Sequence, residues 1–243
     1  MDKLKKKLET EEYMVAFIDI LGASNKIKND SIGSLNTVHS VYEKALKLYK
    51  EQLLDERQSY INPNRFEIIK TRIFSDNVVL YTRIGDDIKA CFLHLSFLSA
   101  FMQAIFLNEG LLVRGGIAMG DFFADDIMLW GNALVNAYEI ENNIAIYPRI
   151  VIQPSVIYGV DEEFARECDC IDIDKDGCFY VDYLNRSTFS DVEKAIDKAK
   201  EVCCKSLKEY GYKTDKENVK IVQKLIWQQN YISHCEGKLQ QEL

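Results

Sequence analysis

The chain has 243 residues, with 30 Lys and Arg against 38 Asp and Glu, for a formal net charge of −8. That length is ample for one large core, and 47% apolar with 28% charged residues excludes a disordered chain. An acidic total offers no general attraction to nucleic acid or anionic lipid, so a polyanionic ligand needs a local site or metal ions.

The first twelve residues, MDKLKKKLETEE, are dominated by charge, and no apolar signal core follows them. Seven cysteines form an odd number without framework spacing, which predicts reduced thiols in a cytoplasmic protein. Cys168, Cys170 and Cys178 with three scattered histidines do not make a zinc pattern. Residues 13–19 (YMVAFID) form an apolar run of strand length, broken by Gly22. Residues 36 to about 58 place Val38, Val41, Tyr42, Ala45, Leu46 and Tyr49 at helical spacing, and the polar stretch 59–65 with Pro63 ends that helix.

Two apolar runs, 66–74 and 77–82, pivot on Ser75-Asp76 and predict a hairpin. Residues 90–107 carry no charge and approach the length of a membrane span, about 18 residues. His94, Ser96, Ser99 and Gln103 punctuate that stretch, and Asp86, Asp87, Lys89 and Glu109 crowd its ends, so it predicts a helix of a core or subunit interface, without membrane insertion. A strand at 110–118, a turn at 121–126, a helix over 132–144 and a strand at 149–152 follow. The last third predicts a short hairpin around Asp176-Gly177 and two amphipathic helices near 190–210 and 217–234. No linker or repeat divides the chain, which predicts one α+β domain: a core over 1–155, completed by the hairpin and helices of 156–243.

Asp19 ends an apolar strand, and Asp76 sits in a tight turn between two apolar strands. Each alone is a cap or turn residue. If the strand at 13–19 lies beside the 66–82 hairpin, both carboxylates meet at one edge of a sheet. They then repel, each raising the other's pKa, unless a cation sits between them. Mg²⁺ accepts a few carboxylate oxygens and completes its octahedron with water and substrate phosphates. Metals of this kind let an acidic protein hold a nucleoside triphosphate.

Four segments in order resemble the motifs of the class III nucleotidyl cyclases. They are Phe17-Ile18-Asp19-Ile20-Leu21-Gly22-Ala23-Ser24, Arg72-Ile73-Phe74-Ser75-Asp76, Arg114-Gly115-Gly116-Ile117-Ala118-Met119-Gly120, and Gly131 through Glu141. Ala23 replaces the usual aromatic residue. The resemblance implies a ferredoxin-like palm with a mixed sheet, flanking helices and a C-terminal helical tail. It implies two Mg²⁺ or Mn²⁺ ions held by Asp19, Asp76 and the Ile20 carbonyl, with backbone amides of Leu21–Ser24, hence Gly22, Ala23 and Ser24, around the phosphates. It also implies a head-to-tail homodimer, each site drawing its metals from one subunit and Asn136 from the other.

The departures set the substrate. Where ATP-using members carry a base-reading Lys and Asp, this chain has Arg72 and Met128. Arg offers only donors, which suit the carbonyl edge of uracil, or O2 and N3 of cytosine, better than N6 of adenine. A bidentate contact of this type discriminates by roughly 1–3 kcal/mol. The pattern resembles the Pycsar-type pyrimidine cyclases of bacterial antiphage defence, implying UTP converted to cyclic UMP as a signal for a separate effector protein. CTP is the alternative substrate, with adenylate or guanylate cyclases as same-class rivals. Tyr49 is placed either against the base or in the core.

Counted from Gly131, the family's catalytic Asn and Arg fall on Val135 and Glu139. Asn136 is one residue late, which requires a local bulge or a lost role. Glu139 in place of Arg favours a catalytically silent nucleotide-binding sensor; the intact Asp19/Asp76 pair opposes it. Residues 172–177 (DIDKDG) begin like a calcium loop, but the twelfth position is Tyr183, so they predict a hairpin turn.

Overall fold

Strand β1 (Glu11–Ile20) runs through the middle of the sheet and is hydrogen-bonded along both sides. A strand with neighbours on both edges and layers on both faces needs apolar residues throughout, which explains the unbroken run at 13–18. The computed structural model describes residues 8–54, 69–211 and 215–241. After β1 come α1 (Ala23–Asn29), α2 (Ser31–Leu54), β2 (Lys70–Phe74), β3 (Asn77–Arg83), α3 (Ile88–Asn108) and β4 (Val113–Ala124). The four strands lie in the order β2-β3-β1-β4, each antiparallel to its neighbour. This β-α-β-β-α-β arrangement with interleaved strands is the ferredoxin-like split unit.

The sheet continues through β6 (Ile150–Ile152), parallel to β4, then β8 (Phe179–Val181) and β7 (Ile171–Ile173); β5 (Leu129–Trp130) pairs with the far end of β4. Helix α4 (Asn132–Asn143) precedes β6, and α5 (Pro154–Val160) and α6 (Glu162–Glu167) follow it. Two long helices, α7 (Val192–Tyr210) and α8 (Lys216–Gln241), close the described chain. The tail segment therefore adds strands to the same sheet as the core.

The sheet separates two apolar layers. Met14, Ala16, Ile18 and Ile20 face the larger core with α2 and α3. Val15 and Phe17 face a smaller one with Val79, Tyr81, Ala118, Ala133 and Ala137 on the α4 side. By the two-residue period, Asp19 belongs to the α4 side as well. The uncharged helix is α3, capped by the Asp87 carboxylate on the Ala90 amide at 2.9 Å and buried on nearly every side within the protein.

Three expectations need correction. The helix expected at 36–58 starts at Ser31 and is preceded by α1; residues 55–68, including the predicted polar break and the start of the hairpin, lie outside the described residues. No turn forms at 121–124, because β4 continues to Ala124: Phe122 packs on Tyr13 and Tyr81 at ring distances of 5.2 Å, and aromatic packing favours the strand. The turn comes after it, at 125–128. The bulge invoked for Asn136 is absent from α4, which is regular α-helix from Asn132 to Asn143.

Gly116 sets how closely α4 approaches the sheet. A Cβ there stands 2.3 Å from the Ala137 carbonyl oxygen and 2.7 Å from Ile140 Cβ, distances only a backbone shift can relieve. Gly116→Ala is expected to destabilise the protein by about 1–3 kcal/mol in urea unfolding. Gly85→Ala, in an exposed loop with nothing within 4 Å, is the matched substitution that leaves stability unchanged.

Candidate active site

The end of β1 is sewn to its neighbours on both sides. The Ile20 amide donates to the Asp76 carbonyl at 3.2 Å, and the Leu21 amide donates to the Leu112 carbonyl at 2.8 Å. Gly22 then turns the chain into α1 with φ +76°, and Ser75, at φ +57°, shapes the β2–β3 turn that presents Asp76. With Asp19 directly opposite Asn77, the two carboxylates come to one edge of the sheet. Burial raises the Asp19 pKa, and the Asp76 charge raises it further, against the lowering effect of Arg114.

Arg114 stands opposite Asp19 on β4. Its Nε lies 3.4 Å from Asp19 Oδ2, and its Nη2 lies 2.6 Å from Glu141 Oε1 on α4. Burial raises the Glu141 pKa as well, with Asp19 adding and Arg114 opposing. Lys224 of α8 joins the same field: burial lowers its pKa first, then the charge of Arg114, while Asp19 and Glu141 counter them. The site is thus a half-buried alternation of carboxylates and cations, built from β1, the β2–β3 turn, β4, α4 and α8.

The other expected residues are distributed as follows. Ile20 buries its side chain in the large core while its backbone ends β1 at the carboxylate edge. Gly22 is open to solvent and Ala23 is buried at the start of α1; the side chain of Ser24 lies outside the described residues. The Leu21 amide is already spent on Leu112, so the predicted amide cradle narrows to Gly22, Ala23 and Ser24. A cavity of about 770 Å³ opens beside them, lined by Ile20, Ala23, Lys26, Ile73 and Asp76 among others.

Arg72, on β2, donates from Nη2 to the Asp125 carbonyl at 2.9 Å and lies 3.6 Å from the Asp126 carboxylate. The Asp125 carboxylate in turn accepts the Met128 amide at 2.8 Å, so Arg72 and Met128, the two positions expected from the resemblance to face the base, meet at one turn. Asn136 is half-buried on α4, and among the described residues no hydrogen bond ties it to Asp19 or Asp76. Tyr49 is a correction: it is 4% exposed between α2 and α3, with its hydroxyl 2.6 Å from His94 Nδ1, in the core on the opposite side of the sheet from Asp19. Apolar spacing on α2 buries it, and a buried phenol needs the partner that His94 supplies.

The calcium-like run is a structural lock. Asp174 and Asp176 both hold the guanidinium of Arg149, itself 1% exposed, and Asp172 accepts from Lys238 at 2.7 Å. The hydrogen bond from Arg149 pulls the Asp176 pKa down to about 2. Arg114 and Glu141 lay within the recognised motifs, but their pairing with Asp19 depends on strand register and on the approach of α4. Nothing in the sequence marks Lys224 among the other lysines of its helix.

No family model matches the chain, and no curated protein matches it. Among solved structures, the catalytic core of a rhodopsin-guanylyl cyclase with converted specificity, in complex with ATPαS, is 14% identical with a TM-score of 0.43, covering 72% of this chain and 97% of that one. A class III adenylyl cyclase-like ATP-binding protein from Pseudomonas aeruginosa is 12% identical with a TM-score of 0.46, covering 77% of this chain and 40% of that one. The guanylyl cyclase Cya2 is 12% identical with a TM-score of 0.35, covering 71% and 92%.

Asp19 and Glu141 both titrate above their ordinary values, so the folded chain holds their protons more tightly than the unfolded one. That contribution to stability is present at low pH and is lost as pH rises through the raised values. Without Arg114 both values rise further. Arg114→Gln is therefore expected to cost on the order of 2 kcal/mol at pH 8, a partly buried pair losing its cation, and distinctly less at pH 5. Urea unfolding at the two pH values measures this; an equal loss at both means that Arg114 acts by packing alone.

Proposed function

We propose that this chain is a nucleotidyl cyclase that takes a pyrimidine nucleoside triphosphate, UTP before CTP, and releases the 3′,5′-cyclic monophosphate and pyrophosphate. The observation that carries this reading is the meeting of Asp19 and Asp76 at one sheet edge with Arg114 beside them. Two carboxylates and the backbone carbonyl of Ile20 fit Mg²⁺ or Mn²⁺, which bind through few protein oxygens and leave positions for phosphate. Bound there, the two metals supply charge neutralisation and a lowered pKa for the ribose 3′-hydroxyl.

The chain's own groups do the rest. Arg114 offers N–H donors to phosphate oxygens at the carboxylate edge. The amides of Gly22, Ala23 and Ser24 face the same phosphates. Arg72, held by the Asp125 carbonyl, keeps further donors for the carbonyl edge of the base. The 3′-oxygen bonds to the α-phosphorus in line with the departing pyrophosphate, the bond from that phosphorus to the bridging oxygen breaks, and the hydroxyl proton passes to solvent. The product serves as an alarm signal, in antiphage defence, for an effector that recognises the cyclic nucleotide.

A second copy completes the site. Ile127 is 89% exposed and Trp130 65%, and Val135 and Tyr138, one turn apart on α4, are about half exposed. Exposed apolar side chains in this number suit burial against a partner. Asn136 lies on the same helix and is the residue the partner contributes. A silent nucleotide-binding sensor is the second reading, favoured by Glu139 standing where the family places a cationic side chain.

Incubation with each of the four ribonucleoside triphosphates and Mn²⁺ is expected to give a cyclic monophosphate from UTP or CTP alone, read by mass spectrometry. Asp76→Asn is expected to reduce it by at least about 100-fold, the scale of losing a catalytic electrostatic group, and Arg72→Lys to blur base selectivity. Cyclic AMP or GMP instead would overturn the base assignment; no product from a folded dimer would favour the sensor. Trp130→Glu is expected to convert dimer to monomer in sedimentation velocity and to abolish turnover, while wild-type activity in a strictly monomeric protein would exclude a shared site.

A further inference from the structure

A single charged residue stands among the buried residues of α4: Glu141, beside Ala133, Ala137 and Ile140. Its side chain is 4% exposed, and the missing Cβ of Gly116 lets this stripe of the helix close onto β4. Arg114 lies two residues before Gly116, on the same face of the strand, so the docked helix brings Glu141 onto the guanidinium. Among the described residues Glu141 has no other ion pair within 4 Å.

The guanidinium is divided unevenly between its two carboxylates. Its Nε–H is directed at Asp19 Oδ2, but at 3.4 Å that hydrogen bond is long for a charged pair. Its Nη2 lies closer to Glu141 Oε1, at 2.6 Å, yet off the N–H direction. Among the described residues no donor is aimed at that oxygen, which is closed to solvent. A buried carboxylate oxygen lacking a directed donor is costly, and a guanidinium turned toward Glu141 supplies one while withdrawing Nε from Asp19. By itself that turn leaves Asp19 partly buried and without a cation. A metal ion on Asp19 reverses the balance, because it competes with the guanidinium for the same oxygens and repels it.

We propose that Glu141 is a positioning residue for the metal site: it takes over Arg114 when a divalent cation binds Asp19, and so sets metal affinity without touching the metal. This rests on the reading of Asp19 and Asp76 as metal ligands. It gives a part in metal binding to a buried carboxylate on a different element from either ligand.

The test measures Mn²⁺ binding to the full chain without nucleotide, from the electron paramagnetic resonance signal of free Mn²⁺. Glu141→Gln is expected to bind Mn²⁺ about tenfold more weakly, the scale of one hydrogen bond to a charged group. A neutral amide holds the guanidinium less firmly, so Arg114 stays on Asp19. In an Arg114→Gln background the same substitution is expected to change affinity by less than about threefold, because no guanidinium is left to hold. Glu141→Asp keeps the charge but is one methylene short of Arg114. It is expected to weaken binding only while Arg114 is present, and it carries the same cycle should Glu141→Gln fail to fold. Glu139→Gln removes the same charge from an exposed position of α4 and is expected to bind as wild type does. Equal losses in the two backgrounds would overturn the proposal, since Glu141 then acts by its own charge or, where melting temperatures fall in step, by packing. Wild-type affinity in both Glu141 variants would overturn it too. Asp19→Asn separates the two ideas. If it binds Mn²⁺ as wild type does, the metal reading ends and the role of Glu141 with it. If it loses Mn²⁺ while the Glu141 variants do not, the metal reading stands and only the role of Glu141 ends.

Discussion

Hydrogen bonding of β1 along both edges is the constraint from which the site follows. Its register places Asp19 opposite Asn77 of β3 and opposite Arg114 of β4 at once. Side chains alternate between faces of a strand, so a slip of one residue on either side would send Asp19 into the α2–α3 core and bring Ile18 to the α4 face. The apolar alternation of Met14, Ala16 and Ile18 against Val15 and Phe17 resists that slip, because both faces are buried. The same packing that stabilises the sheet therefore fixes the partners of the one carboxylate on β1's inner run.

Charge at the edge is balanced in pairs. Arg114 lies between Asp19 and Glu141, and its presence lets two partly dried carboxylates stand on neighbouring elements. Removing water from either carboxylate raises its pKa, and the opposing guanidinium limits the rise. Asp76 and Lys224 extend the alternation outward.

The C-terminal helix is fastened by a second polar system at a distance from that edge. The Tyr231 hydroxyl donates to Asp182 Oδ1 at 2.6 Å and accepts from the amides of Tyr183 and Leu184 at 2.9 and 2.8 Å. Lys238 bridges Asp182 at 3.0 Å and Asp172 at 2.7 Å. Buried polar groups with their partners in place define a single geometry, since each lost partner leaves a desolvated group behind. This system, with Arg149 held by Asp174 and Asp176, ties α8 to the β7–β8 hairpin and so sets where its N-terminal half lies.

Much of this was legible in the residues. Strand β1, the β2–β3 hairpin on Ser75-Asp76, the buried uncharged helix and α4 follow from apolar period and turn chemistry, which are local properties of the chain. The proximity of Asp19 and Asp76 was legible as a consequence of placing two strands side by side. The separate helix α1 was missed because a left-handed glycine, not composition, divides it from β1, and the extension of β4 to Ala124 was missed because Phe122 finds Tyr13 and Tyr81 only in three dimensions. Tyr49 shows the converse: its helical spacing is equally that of a core residue, and the partner that decides, His94, is 45 positions away. The sequence alone determined which carboxylates end which strands, because hydrophobic alternation and tight turns are written within a few residues. Only the tertiary structure decided that Arg114, Glu141 and Lys224 join them, because side chains separated by up to 205 positions meet through sheet register and helix docking, neither of which leaves a local signal.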